Sequence, residues 1–236
     1  MAIVGEADQS VFTAEVERSL VSQFFDSRDG VFVEVGAFDP VFQSQSYHLE
    51  ITGWQGVLIE PEPSQADHLR KSRRAPVFEV ACVAPEAAGR PARLLSRRGL
   101  STLRFRDRQA EGGVVFNVAC ATLDQVLEQA GIDHVDFLSI DVEGLEPDVL
   151  RGFDFVRYRP KLILIDDRER FGETSRLMAR NRYRLVRRTG HNGWFVPKGA
   201  GFPVGLAGRL QLTWTYGLGR LMRRTLSRFS ERSVML

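Results

Sequence analysis

Short apolar runs alternate along the chain with stretches whose apolar residues return every three or four positions. In residues 11–28 (VFTAEVERSLVSQFFDSR), Val11 or Phe12, Val16, Leu20 and Phe24 recur at helical spacing and predict an amphipathic helix. VFVEVG (31–36) and GVLIEP (56–61) are brief strand-like runs, each stopped by glycine or proline. Between them SYHLEITG (46–53) reads as a helix closed by Gly53. PVFEVACVA (76–84) predicts a third strand. ARLLS (92–96) and VVFNVACA (114–121) predict an inserted antiparallel pair around a polar loop. ATLDQVLEQAG (121–131) has a helix start at Thr122 and a glycine stop, with Leu123, Val126 and Leu127 on its apolar face. HVDFLSID (134–141) predicts a strand, EPDVLRGF a short helix with Pro147 in its first turn, RPKLILIDD (159–167) a strand and TSRLMARN a helix. YRLVRRT (183–189) and GWFVPKG (193–199) predict a closing antiparallel hairpin turned at GHNG.

Strands that alternate with helices argue for an α/β domain built on a mainly parallel sheet. The expected organisation is an N-terminal helix (1–28), a core domain (29–199) and a tail (200–236). A chain of 236 residues suits one sizeable domain with an appendage. With 43% hydrophobic and 26% charged residues, the composition is that of an ordinary globular protein. Cys82 and Cys120 sit in apolar runs with no CxxC spacing, which predicts buried, reduced thiols. The opening MAIVGEADQS lacks a signal-peptide pattern and no apolar stretch is long enough to span a membrane, so a cytoplasmic protein is expected.

Charge changes the picture at the C-terminal end. Residues 174–236 hold thirteen Arg and Lys against the single acid Glu231. Within them Leu206, Leu210, Trp214, Leu218, Leu221 or Met222, and Phe229 fall on a helical repeat beside Arg209, Arg220, Arg223, Arg224 and Arg228. A basic amphipathic helix of this kind suits the anionic inner face of a membrane, or packing on the domain or on a second copy in a homo-oligomer. Little aromatic interleaving and no recognisable module argue against a nucleic-acid partner.

The candidate chemistry lies where strands stop. Glu34, Glu60, Asp141 and Asp166 each sit at or near the end of a predicted strand. In an open parallel sheet those ends share one edge, and ligands bind in the crevice there. VEVGAFDP turns sharply after an acid, and Gly36 lets a ligand approach the backbone. The glycines of a pyrophosphate cradle are absent. Glu60 is placed to accept both hydroxyls of a ribose, and Glu34 and Asp39 to anchor a cationic or amino-acid end. A nucleoside without phosphates that carries an amino-acid end describes S-adenosylmethionine.

These residues also carry a resemblance. The order VEVGAFD, SQSYHLEITGWQGVLIEPEP, EVACVAP, ATLDQVLEQAGIDHVDFLSIDVEGLEPDVLRGFDF, RPKLILIDD and RYRLVRRTGHNGWFV is similar to the FkbM family of S-adenosylmethionine-dependent methyltransferases, over roughly residues 24–199. DVEG with the following E-x-x-VL-x-G, and the GW-x-G-x-LIEP block, are its most specific parts. The resemblance implies a Rossmann-like class I methyltransferase with a seven-stranded, mainly parallel sheet and an antiparallel last strand, plus the inserted β pair. It implies methyl transfer to an oxygen of a sugar, glycan or secondary metabolite. By residue, it implies a cofactor loop of Glu34, Gly36, Ala37, Phe38 and Asp39, a ribose acid at Glu60 with Pro61 beside it, and an adenine region at Ala81–Val83, including Cys82 and Val83. It places Ser46, within Ser44–Tyr47, over the cofactor, and Asp141 at the transfer site. GAFDP departs from a family loop that often reads Gly-Ala-Asn-Asp-Gly: Phe38 replaces a polar residue and can stack on the cofactor, and Pro40 replaces a glycine.

Methyl transfer to an alcohol needs alignment and removal of the hydroxyl proton. Asp141, Asp166 and Asp167 form a carboxylate set of the kind Mg²⁺ or another divalent ion prefers, or else Asp166 and Asp167 pair with Arg168 or Arg170. Glu143 is a second base candidate and His191, in the GHNG turn, a third. Glu146 reads as a helix-start acid. GLSTLRF (99–105) is the candidate acceptor-binding lid. A non-catalytic nucleoside- or glycan-binding protein on the same fold is the alternative reading.

Overall fold

The computed structural model describes residues 6–26, 29–97, 100–103, 105, 112–168 and 170–202. The expected basic repeat across 206–229 lies outside them, as do Gly99 and Arg104 of the candidate lid.

Helix α1 (Glu6–Phe25) opens the chain and leads to β1 (Val31–Val35), α2 (Tyr47–Glu50), β2 (Gln55–Ile59), α3 (Pro63–Ser72) and β3 (Val77–Phe78). A two-residue strand β4 (Ala81–Cys82) and a turn of 3-10 helix (Pro85–Ala87) follow. Next come β5 (Ala92–Arg97), β6 (Leu100–Thr102), β7 (Val114–Val118), β8 (Cys120–Ala121) and α4 (Leu123–Gln129). The second half holds β9 (Phe137–Ile140), α5 (Glu146–Arg151), α6 (Phe155–Tyr158), β10 (Leu162–Asp166), α7 (Phe171–Arg180), β11 (Tyr183–Thr189) and β12 (Asn192–Pro197).

The main sheet has seven strands in the order β11-β12-β10-β9-β1-β2-β3. β12 runs antiparallel to both its neighbours, while β10, β9, β1, β2 and β3 are mutually parallel. The central strands are buried on both faces, as parallel strands flanked by helices must be. Their side chains sort with the two-residue period of a pleated strand. Val33, Val35, Leu138, Ile140, Ile163 and Ile165 pack with α4, α5 and α7 through Leu127, Val149 and Met178. Phe32, Leu58, Phe137, Leu162 and Leu164 pack on the other face with Val21 of α1, Leu49 of α2 and Leu69 of α3. Thr122 starts α4 with the expected cap: its hydroxyl accepts from Gln125 N at 3.2 Å, and the Gln125 side chain returns to Thr122 N at 2.9 Å.

The fold departs from the expected elements in several places. The predicted strand 76–84 is split, and so is the predicted strand 114–121, into β7 and β8. β3 pairs with β2, then the chain leaves the sheet and β4 pairs in parallel with β8 instead. The inserted pair is a three-stranded antiparallel sheet, β6-β5-β7, because Leu100–Thr102 folds back along Leu95–Arg97. Helix α6 is additional; Asp154 caps it, accepting from Val156 N and Arg157 N. Among the described residues no helix is long and apolar enough to cross a membrane.

One guanidinium holds the segment after β1 in place. Arg73, just past α3, has a fully buried side chain. It donates to Glu50 at 2.6 Å, to the Pro40 carbonyl at 3.1 Å, and to Ser44 and Ser46 hydroxyls at 3.0 and 2.9 Å. Its plane also lies over the Phe32 and Tyr47 rings. Removing such a cation strands its buried acid. Arg73→Met is therefore expected to cost about 3–5 kcal/mol of stability, read as a drop in urea midpoint. Arg73→Lys is expected to recover only a minor part, since one ammonium cannot fill a forked site.

Candidate functional site

The parallel register puts Ile59, Val35, Ile140 and Ile165 side by side. The residues one step further form a row along the strand ends: Glu60, Gly36, Asp141 and Asp166, continued by Asn192, which is paired with Asp166 across β10 and β12. Strand spacing of about 4.8 Å makes this a shelf long enough for an extended ligand. A cavity lies over the shelf. It is lined by Gly36, Glu60 and Asp141, by the loop residues Ala37, Phe38 and Asp39, and by Pro61 and Cys82.

Gly36 sits where two chains cross. Its φ of +80° is a left-handed conformation, and a Cβ there would lie 1.8 Å from the Asp141 carbonyl oxygen. No other residue fits. The turn is pinned by Gly36 N and Ala37 N, which donate to the Ile59 carbonyl at 2.9 and 3.1 Å. Phe38 also has a positive φ, 24°, and its N–H donates to Glu60 Oε2 at 3.1 Å. Glu62 N donates to the other Glu60 oxygen at 2.8 Å. Burial, with some help from the Glu62 charge, pushes the Glu60 carboxyl up to about 7 against those two N–H groups.

Glu34 is almost fully buried beneath the same loop. It accepts from Ser44 Oγ at 2.8 Å, from Gln45 N at 2.7 Å and from Ser46 Oγ. Burial raises its carboxyl, and these donors with Arg73 oppose the rise. Asp39 Oδ1 accepts from the N–H groups of Val41 and Phe42 at 2.8 and 2.6 Å, folding the next turn.

The loop after β9 has its own internal support. Glu146 is buried, and its Oε1 accepts from Val142 N at 3.2 Å and Gly144 N at 3.0 Å. This allows Glu143 its positive φ of 49°. Asp141 opens into the cavity, yet protein surrounds it. That burial, then the charges of Asp166, Glu143 and Glu146, hold its carboxyl well above the ordinary range, while Arg168 opposes them. Arg168 grips Asp166 at 2.9 Å and reaches Glu143 at 3.5 Å.

The inserted sheet forms a roof. Leu94, Ser101 and Leu103 line the cavity from above. Glu62, buried at the opposite rim, accepts the hydroxyls of Ser96 at 2.7 Å, Ser101 at 2.9 Å and Ser64 at 2.6 Å. On the other rim Thr102 donates to the Glu143 carbonyl at 3.4 Å.

The model of the methyltransferase FkbM domain matches residues 34–185, well over half of the chain. The chain belongs to this family. The matched segment spans the shelf from Glu34 to Asp166. A crystal structure of methyltransferase FkbM from Methylobacillus flagellatus KT is similar at 15% identity and a TM-score of 0.47. The similarity covers 72% of this chain, and the chain spans 44% of that one. A precorrin-6y C5,15-methyltransferase from Geobacter metallireducens GS-15 is similar at 11% identity and a TM-score of 0.41, over 77% of this chain and 86% of that one. No curated protein matches the sequence.

The structure corrects the expected site in several details. The carboxylates proposed to hold a divalent ion do not converge. Asp167 is fully buried and paired with Arg188, while Arg168 occupies the oxygens of Asp166. Among the described residues no group of three His, Cys, Asp or Glu is arranged to hold a metal. Ser46 is enclosed between Glu34 and Arg73 and does not line the cavity. Val83 packs into the separate cluster of Leu94 and Val118, so the wall at that level is Val80, Ala81 and Cys82. Burial pushes the Cys82 thiol up to about 12, which leaves it an inert wall. His191 is exposed on its turn; the neighbouring Asn192 lines the cavity instead. Sequence reasoning also missed Glu62 and Asn192. Nothing local marks them, since each acquires its role from a partner brought in by the fold.

The roof contacts give a direct test. Glu62→Ala leaves Ser96 and Ser101 without their shared acceptor. Backbone amides of Leu95–Thr102 are then expected to exchange hydrogen at least tenfold faster, an opening easier by about 1.4 kcal/mol, while β1 and β9 keep their protection.

Proposed function

We propose that this methyltransferase takes its methyl group from S-adenosylmethionine and delivers it to a hydroxyl of a sugar, glycan or secondary metabolite. One observation carries the reading: Glu60, Gly36 and Asp141 stand in a single row across adjacent strand ends, with the one residue lacking a Cβ between two acids. The cavity over this row admits a ligand lying across the strands. Glu60 supports a ribose at one end, because its two oxygens keep lone pairs beyond the Phe38 and Glu62 N–H bonds. Val80, Ala81 and Cys82 supply an apolar wall for a base. The acid-rich opposite end suits a cation. The residues therefore fit the cofactor.

When bound, S-adenosylmethionine supplies an electrophilic methyl group on a positively charged sulfur. The protein must orient the acceptor in line and take its proton. Asp141 suits the second task. It faces the cavity, and the desolvation and like charges that raise its carboxyl make it a stronger base than a solvated carboxylate. With the cofactor bound, Asp141 would take the hydroxyl proton of the acceptor whose oxygen receives the methyl carbon, the carbon–sulfur electron pair remaining on sulfur. Glu143, within reach of Arg168, supports the field around Asp141. The roof and the Glu146-braced loop border the transfer end.

Calorimetry with S-adenosylhomocysteine tests the cofactor. In the free protein Glu60 titrates at about 7, and hydroxyl donors favour its ionised form. Binding at pH 7 is therefore expected to release on the order of half a proton, seen as a dependence of the heat on buffer ionisation enthalpy, and none at pH 9. Glu60→Gln is expected to abolish the release and weaken binding roughly tenfold or more.

Turnover on a panel of saccharides and hydroxylated small molecules tests the reaction. Asp141→Asn is expected to lower kcat by about 10²–10⁴-fold while the product cofactor still binds. Tight cofactor binding with no methylation of any hydroxyl compound would favour a binding protein on this fold.

A further inference from the structure

Helix α1 lies ahead of the family-matched segment, yet it sends one carboxylate to the cavity wall. Glu17 is completely buried. Its Oε2 accepts from Gln45 Nε2 at 2.6 Å, and its oxygens accept from Asn192 Nδ2 at 2.9 and 3.1 Å. The Thr189 hydroxyl also donates to it, and receives Trp194 Nε1 at 2.7 Å in turn. Gln45 and Asn192 both line the cavity. They flank its transfer end: Gln45 follows the loop bound to Glu34, and Asn192 stands across from Asp166.

An ionised carboxylate only accepts hydrogen bonds. Facing Glu17, both side-chain amides must therefore present nitrogen to it and carry their oxygens on the opposite side. Gln45 Oε1 is buried with no hydrogen-bond partner among the described residues. A buried acceptor left open beside a cavity calls for a donor from the ligand. The charges specify that donor. Glu34, Asp141, Asp166 and Glu17 surround this end, while the guanidinium groups of Arg73, Arg168 and Arg188 are already engaged, with Glu50, Asp166 and Asp167. Surplus acceptors in a negative field select a cationic donor.

We propose that Glu17 is a positioning residue that orients the Gln45 and Asn192 amides so that their oxygens receive the ammonium of the cofactor's amino-acid end. The inference rests on the S-adenosylmethionine reading and adds to it a residue from outside the matched domain.

The test compares two probes by calorimetry. S-adenosylhomocysteine carries the amino-acid end; 5′-methylthioadenosine keeps the nucleoside and the thioether but lacks it. Glu17→Gln, which can donate as well as accept, releases the amides to flip. It is expected to weaken S-adenosylhomocysteine roughly tenfold and leave 5′-methylthioadenosine within about twofold. Gln45→Met, which keeps Glu17 in place, is expected to show the same selectivity and covers the case of an unfolded Glu17 variant. Equal losses for both probes, or no loss in a folded Glu17→Gln protein, would overturn the inference and leave the cofactor reading standing. A native protein that binds neither probe overturns both.

Discussion

The whole shelf depends on one close approach, that of the Gly36 backbone to the Asp141 carbonyl. Two neighbouring strands end at the same level, and the chain of one must turn across the end of the other. A side chain at that crossing would push β1 and β9 apart and break the row that joins Glu60 to Asp141. The absence of a single methyl-sized group thus decides both the sheet register at the site and how closely the turn after β1 lies against the end of β9. The Ile59 carbonyl, which takes two N–H groups from this turn, ties β2 into the same constraint.

Around that crossing the protein concentrates negative charge and disposes of it in two ways. Acids with structural work are given donors: Glu34 by serines, Glu146 by backbone N–H groups, Asp167 by Arg188. Asp141 is left with like charges nearby and only Arg168 in opposition. The contrast in their surroundings separates scaffold carboxylates from the one that the proposed mechanism uses as its base. Three neighbouring residues of one sequence run, Asp141, Glu143 and Glu146, fall into three such environments.

The central strands were legible in the sequence because burial on both faces demands unbroken apolar runs, and parallel order makes their acid ends coincide. Gly36 and Glu60 followed from that geometry alone. The short pieces were not legible. β4, β6 and α6 are two to four residues long, and such lengths carry no periodicity. The charge pairings were hidden for another reason. Glu17 and Asn192 lie 175 positions apart, so no window along the chain contains both. Asp141, Asp166 and Asp167 looked like a metal set because proximity in the fold was anticipated; Arg168 was the alternative partner read for Asp166, but Arg188, which pairs with Asp167 from another strand, was not. His191 and Asn192 show the limit at its finest: adjacent in sequence at a turn, one faces away and the other lines the cavity.

The roof is fastened to Glu62 by neutral hydroxyls rather than by cations. Parting such a contact separates no opposite charges and strands no guanidinium in an apolar place. Water can serve each serine as well as the carboxylate does, and only one anion has to be rehydrated. The roof is thereby held as a reversible catch, whereas the floor beneath it is locked by Arg73 and its buried ion pair. The two fastenings differ in what their opening costs, and the cheaper one lies on the roof of the cavity.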